Sequence, residues 1–123
     1  EDLFKIALLD LSNNKIKKID GLGDLITLSV LNLSNNKIEK IENLESLGGL
    51  INLNLSNNNV SVIDGVESLS NLRNIDLSHN NVSDITPLMN LPNLITIDLT
   101  GNPLSEEQIK KIDGKQIKTK RNI

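Results

Sequence analysis

Apolar residues recur along this chain at fixed offsets from five asparagines. Asn14, Asn36, Asn58, Asn80 and Asn102 stand 22 residues apart with no insertion or deletion, and they close the phrases LLDLSNN, LNLSNN, LNLSNN, IDLSHN and IDLTGN. With each asparagine as zero, the apolar positions are −11, −8, −5, −3, +2, +5 and +8, as in Leu25, Leu28, Leu31, Leu33, Ile38, Ile41 and Leu44. All but two of these places, Glu107 and Lys110, hold Leu, Ile or Val in a chain that is 37% hydrophobic, so the register is not chance.

The step from −5 to −3 has the period of two that puts both side chains on one face of a strand. The later apolar positions, spaced by three, suit a 3₁₀ or irregular return path that sends one side chain inward at each turn. One repeat cannot bury these residues alone. Stacked repeats can, with parallel strands about 4.8 Å apart forming a curved sheet whose stability comes from neighbour interfaces. The repeated asparagine stands where the chain leaves the strand. Its amide offers donors and acceptors to backbone groups of its own turn and of the neighbouring repeat, which is a structural role.

The phrase L-x-x-L-x-L-x-x-N-x-I/L at this spacing resembles the leucine-rich-repeat signature, over nearly the whole chain. The resemblance implies an α/β repeat fold, a right-handed curved solenoid with parallel strands on the concave face, short 3₁₀ or irregular turns on the convex face and a C-terminal helical cap. Two subtypes share the 22-residue period. Ile85-Thr86-Pro87-Leu88, followed by Leu91-Pro92-Asn93-Leu94, is similar to internalin-like surface proteins of bacteria. The stretch from Lys37 to Leu44 is similar to intracellular repeat proteins such as a regulatory subunit of type-1 protein phosphatase. The first implies a protein-binding adhesion module at the bacterial cell surface or secreted. The alternative is a cytoplasmic scaffold or regulatory subunit.

A single domain spanning 1–123 is expected, with five repeats over 3–102 and a cap over 103–123. In the cap, Ser105 reads as a helix N-cap, Gln108 as the partner that completes a capping box, and Leu104 with Ile109 as a hydrophobic staple. Glu106 and Glu107 suit the positive end of the helix dipole, and Ile109 and Ile112 share a face for the last repeat. Asp113-Gly114 ends the helix, and Ile117 within 115–119 predicts a last short strand. The other end has no visible cap, since Leu3 and Ile6 already hold the −11 and −8 positions and Phe4 alone is placed to fold over the opening. The start at Glu1-Asp2 rather than Met leads us to expect a processed protein or a piece of a longer one, with an N-terminal edge open to self-association.

A partner of such a solenoid is expected on the concave face, on strand residues pointing away from the core. By alternation these are the −6, −4 and −2 columns. They nominate Asp10, Asn32, Asn52, Asn54, Asn74, Asp76, Thr96 and Asp98, with Arg73 at the rim and Ser12, Ser34, Ser56, Ser78 and Thr100 as the −2 column. This face is small, polar and mildly acidic, which calls for a protein partner with basic or hydrogen-bonding groups, or else serves only to keep the sheet solvated.

Composition narrows the chemistry. The chain has no Cys, Trp or Tyr, one His and one Phe, so neither a thiol nucleophile nor a zinc site is available, and no catalytic residues, metal site or cofactor are expected. His79 reads as a turn residue replacing Asn13, Asn35 and Asn57. A calcium site in the Asp10, Asp76 and Asp98 column fails on geometry, because six to eight oxygen ligands must converge and a column places only adjacent pairs close. A net charge of −3 gives nothing to counterion release, so nucleic acid is not an expected partner. No apolar run approaches the roughly 20 residues that cross a bilayer, so membrane insertion is not expected. Asn-x-Ser sequons at Asn32, Asn54, Asn59 and Asn81 would draw sugars onto the binding face of a eukaryotic secreted receptor, which argues against that origin. Lysines on the loops of the first two repeats (Lys15, Lys17, Lys18, Lys37, Lys40), and those of the tail from Lys110 to Lys120 with Arg121, read as solvated charge.

Overall fold

A computed structural model describes residues 5–115 and 117–121. Its main sheet has six parallel strands in the order β1 (Leu8–Asp10), β2 (Val30–Asn32), β4 (Asn52–Asn54), β6 (Asn74–Asp76), β7 (Thr96–Asp98) and β8 (Lys118–Lys120). The register runs Leu8, Val30, Asn52, Asn74, Thr96, Lys118 across the sheet, so each strand is paired with the one 22 residues away. Each strand spans positions −6 to −4, and its middle residue points into the core. In repeats two to five, the residues at −8, −5, −3 and +2 are buried, Leu104 apart, and the strands close a continuous apolar interior of Leu, Ile and Val.

The turn after each strand is set by backbone handedness. Asn13, Asn35, Asn57, His79 and Gly101, all at −1, have φ of 60, 57, 55, 57 and 79°. Asparagine, histidine and glycine tolerate this left-handed region better than other residues do. His79 therefore fills a position with a conformational requirement.

Behind that turn the repeated asparagines form a ladder. Asn58 donates from Nδ2 to the carbonyls of Leu33 and Leu55, each at 3.0 Å, and accepts the Ile38 amide on Oδ1 at 3.0 Å. Asn36, Asn80 and Asn102 repeat the pattern, with their Oδ1 atoms accepting the amides of Ile16, Val60 and Val82. No buried side-chain polar atom among the described residues lacks a partner.

The convex side departs from expectation at two repeats. Lys40–Ile41 (β3) and Val62–Ile63 (β5) pair as a second parallel sheet instead of an irregular return path. The cause is local: each dipeptide puts one side chain outward and a β-branched isoleucine inward, which suits a pleat. Lys40 and Asp64 add an ion pair at 3.6 Å across these turns, and at that exposure it contributes little. In the fourth repeat Pro87 occupies the first turn of a 3₁₀ helix, Thr86–Leu88, and the pairing stops there.

At the C-terminus, helix α1 (Glu106–Asp113) starts at Ser105, whose hydroxyl accepts the Gln108 amide. The expected capping box does not close. Gln108 Oε1 instead accepts the backbone amide of Ile85 at 2.8 Å, because the turn of the fourth repeat has no following convex strand to satisfy that group. Ile112 is buried beneath the last repeat and Leu104 packs partly against it, while Ile109 is only half-buried. Gly114 ends the helix. The last strand begins at Lys118, three residues later than the expected 115, so Thr119 takes the inward slot beside Ile97 and Ile117 lies just before the strand; Gln116 is outside the described residues. At the opposite edge, Ile6, Leu9, Leu11 and Ile16 are half-buried where Leu28, Leu31, Leu33 and Ile38 are fully buried. Leu3 and Phe4 lie outside the described residues.

Candidate functional site: the concave face

The concave face carries the −6 and −4 columns as expected, but not the −2 column. Ser34 and Ser78 are buried, since the chain has already turned inward at that point. The reason is visible in the −4 column. Asp10, Asn32, Asn54, Asp76 and Asp98 each accept on Oδ1 the backbone amide two residues on, at 2.9–3.0 Å. In the first, second and fourth repeats the serine hydroxyl donates to the same oxygen. One oxygen of every −4 side chain therefore serves the turn. The Ser12 hydroxyl and, after it, the Ser12 amide hold the exposed carboxyl of Asp10 below its ordinary range.

The −6 column changes character along the sheet. It begins apolar with Leu8, 62% exposed, and half-buried Val30. It continues as a polar ladder, in which the Thr96 hydroxyl donates to Asn74 Oδ1 and Asn74 Nδ2 donates to Asn52 Oδ1. It ends on Lys118. Lys120 likewise extends the −4 column beside Asp98. A concavity of about 550 Å³ lies over this half of the sheet, lined by Asn52, Asn74, Asp76, Thr96, Asp98, Lys118 and Lys120 among others.

The fold thus gathers Asn52, Asn74, Asp76, Thr96 and Asp98 around one concavity and leaves Asp10, Asn32 and Asn54 outside it. Arg73 is exposed at the strand entrance, between Ile51 and Ile95 of the neighbouring repeats, and Ile95 is 50% exposed. The two lysines escaped the sequence reading, which took them for tail charge. The signal was the period itself, since Thr96 and Asp98 plus 22 are Lys118 and Lys120; the inward residue there is Thr119 rather than Leu or Ile, so no apolar mark drew attention to it. Among the described residues, no three His, Cys, Asp or Glu side chains gather closely enough to hold a metal ion.

The family described as Leucine Rich repeats (2 copies) matches residues 7–46, 49–88 and 70–114. The chain belongs to the leucine-rich-repeat family. Among solved structures, this leucine-rich-repeat chain is similar to internalin C2 of Listeria monocytogenes, with 32% identity, a TM-score of 0.83, and coverage of 95% of this chain and 52% of that one. It is also similar to a structure of the Drosophila melanogaster SNF/U2A′ complex, at 32% identity, a TM-score of 0.77, and 89% and 69% coverage. A Leptospira interrogans leucine-rich-repeat protein matches at 26% identity and a TM-score of 0.83, over 90% and 30%. The chain spans about half the length of the internalin it matches. No curated protein sequence matches it significantly.

Proposed function

We propose that this leucine-rich-repeat domain, read as one unit over 1–123, is a protein-binding module that engages its partner on the concave face, within an internalin-like surface or adhesion protein of a bacterium. The supporting observation is the concavity over β4, β6, β7 and β8, where Asn52, Asn74, Asp76, Thr96 and Asp98 line one hollow, with exposed Arg73 directly preceding Asn74 at the strand entrance. The likeness to internalin C2 over nearly the whole chain supports the bacterial surface setting. The module contributes binding rather than catalysis.

The alternative is an intracellular scaffold or regulatory subunit. It is favoured by the equal identity to the SNF/U2A′ structure and by the Lys37–Leu44 phrase.

Beads coated with the protein test both settings on cultured animal cells. Retention on the cell surface that is lost with Asn74→Trp or Thr96→Trp on the concave face, and kept with Glu39→Trp on the convex face, is the expected result. Equal retention by all variants overturns the concave site. No retention, with the fold intact by circular dichroism, favours the intracellular setting.

A further inference from the structure

The acidic appearance of the concave face is misleading at its C-terminal half. Asp76 and Asp98 each commit Oδ1 to the turn that follows. Arg73, Lys118 and Lys120 are exposed, and among the described residues none of their side chains makes a hydrogen bond or an ion pair. The polar ladder runs one way, from Thr96 through Asn74 to Asn52, and leaves Asn52 Nδ2 as a further unused donor. Asp76 and Asp98 keep their charge and an unbonded Oδ2 each, but among the described residues the unbonded donors outnumber them: Asn52 Nδ2 and the three cations Arg73, Lys118 and Lys120.

These donors border an aliphatic strip. The carbonyl of Arg73 accepts the amide of Ile95, and the carbonyl of Ile95 accepts that of Lys118, so Arg73, Ile95 and Ile117 follow one another along the strand entrances. Ile95 is half exposed, while Ile117 is half-buried and packs partly against the core, so Ile95 supplies most of the open surface of the strip. Such a strip gains from aliphatic side chains laid over it.

We propose that this half of the concave face recognises an acidic segment of a partner protein, in which carboxylate side chains alternate with aliphatic ones. The proposal rests on the concave-face reading above and adds the chemistry of the partner. Carboxylates satisfy the guanidinium of Arg73 and the ammonium groups of Lys118 and Lys120 with charge-assisted hydrogen bonds. Aliphatic side chains cover Ile95 and what the core leaves open of Ile117. A polyphosphate would meet the same cations, but it brings nothing to the aliphatic strip, and no aromatic side chain stands here for bases to stack on.

The test is an NMR titration of the whole chain with four probes: an octapeptide alternating Glu and Leu, one alternating Lys and Leu, one alternating Glu and Ser, and an eight-residue oligothymidylate. The Glu-Leu peptide is expected to shift amides around Arg73, Ile95 and Lys118 and to bind most tightly. Combined Arg73→Gln, Lys118→Gln and Lys120→Gln should weaken it by about tenfold or more, as loss of several charge-assisted contacts does, while Lys37→Gln on an exposed loop changes little. Tighter binding of the Lys-Leu peptide at these amides, abolished by Asp76→Asn, overturns the acidic partner and keeps the concave site. Equal binding of the Glu-Ser peptide removes the role of the strip, and tighter binding of the oligothymidylate replaces protein with nucleic acid; either overturns the proposal. Shifts confined to convex amides, or none with any probe, overturn the acidic partner and the concave site together.

Discussion

Asn58 reaches back 25 residues to bond the carbonyl of Leu33 and accepts the amide of Ile38, so one carboxamide closes its own turn and that of the preceding repeat. Asn59, its neighbour, is exposed and makes no such link.

Asn58→Ala is accordingly expected to destabilise the protein far more than Asn59→Ala. Each buried backbone group left unpaired costs about 1–3 kcal/mol, against under about 0.5 kcal/mol for an exposed position without such partners. Urea melts of the two variants measure the difference. A larger loss at Asn59 would place the ladder one residue away.

Leu55 is fully buried in the middle repeat while Asn54 is only half-buried. Truncating Leu55 to Ala should cost about 2–5 kcal/mol. Asn54→Ala removes one turn bond, to the Ser56 amide, and should cost about 1 kcal/mol. Equal losses would contradict the inward and outward assignment of this strand.

Gly101 has φ of +79°, and a Cβ there would stand 2.7 Å from Nδ1 of His79. Gly101→Ala is expected to lose about 1–2 kcal/mol from the left-handed backbone alone, and more from displacing the imidazole. The second part should shrink in a His79→Ala background. A double-mutant cycle with no coupling would show that the ring moves aside freely.

The Asp10 carboxyl is held below its ordinary value of 3.8 by the Ser12 hydroxyl and amide. Because the folded-state value is depressed, the contribution of the ionised group is present above 3.8 and is lost as pH falls through the lower folded value. The Ser12 amide resonance should follow that titration with a midpoint below 3.8, and Asp10→Asn should flatten it. A midpoint at or above 3.8 would mean that the turn bond does not favour the charged form.

Leu9 on β1 and Leu11 just after it are half-buried, whereas Ile97 on β7 and Leu99 just after it are buried. Hydrogen exchange should show the Leu9 and Leu11 amides opening at lower free energy than those of Ile97 and Leu99. Repeating the measurement at two protein concentrations reveals whether copies associate through the first edge, where protection would rise with concentration.

Most of the interior was legible because burial repeats. A position such as −5 is filled by Leu9, Leu31, Leu53, Ile75 and Ile97, and period alone puts all five inside. The asparagine ladder was legible for the same reason. What escaped was whatever depends on how a repeat meets an irregular neighbour. Gln108 was assigned to its own helix start because a capping box is a local pattern, yet the free amide of Ile85 lies 23 residues away. Lys118 and Lys120 were hidden because a strand recruited by pairing with β7 needs little apolar character of its own. The small convex sheet arose from two dipeptides, Lys40-Ile41 and Val62-Ile63, too short for any periodicity to declare them.

The ladder also gives the array a direction in time. A ribosome releases the first repeat before the second, and Ile16 cannot find Oδ1 of Asn36 until 20 more residues have emerged. The same lag holds for Ile38, Val60 and Val82. Each turn of the growing chain is therefore finished by the next, and its maturation trails synthesis by one coil until Asn102 and the helix behind it arrive. A pause in translation within a repeat would leave the preceding turn, and not the one being made, as the segment that proteases and chaperones meet unfinished.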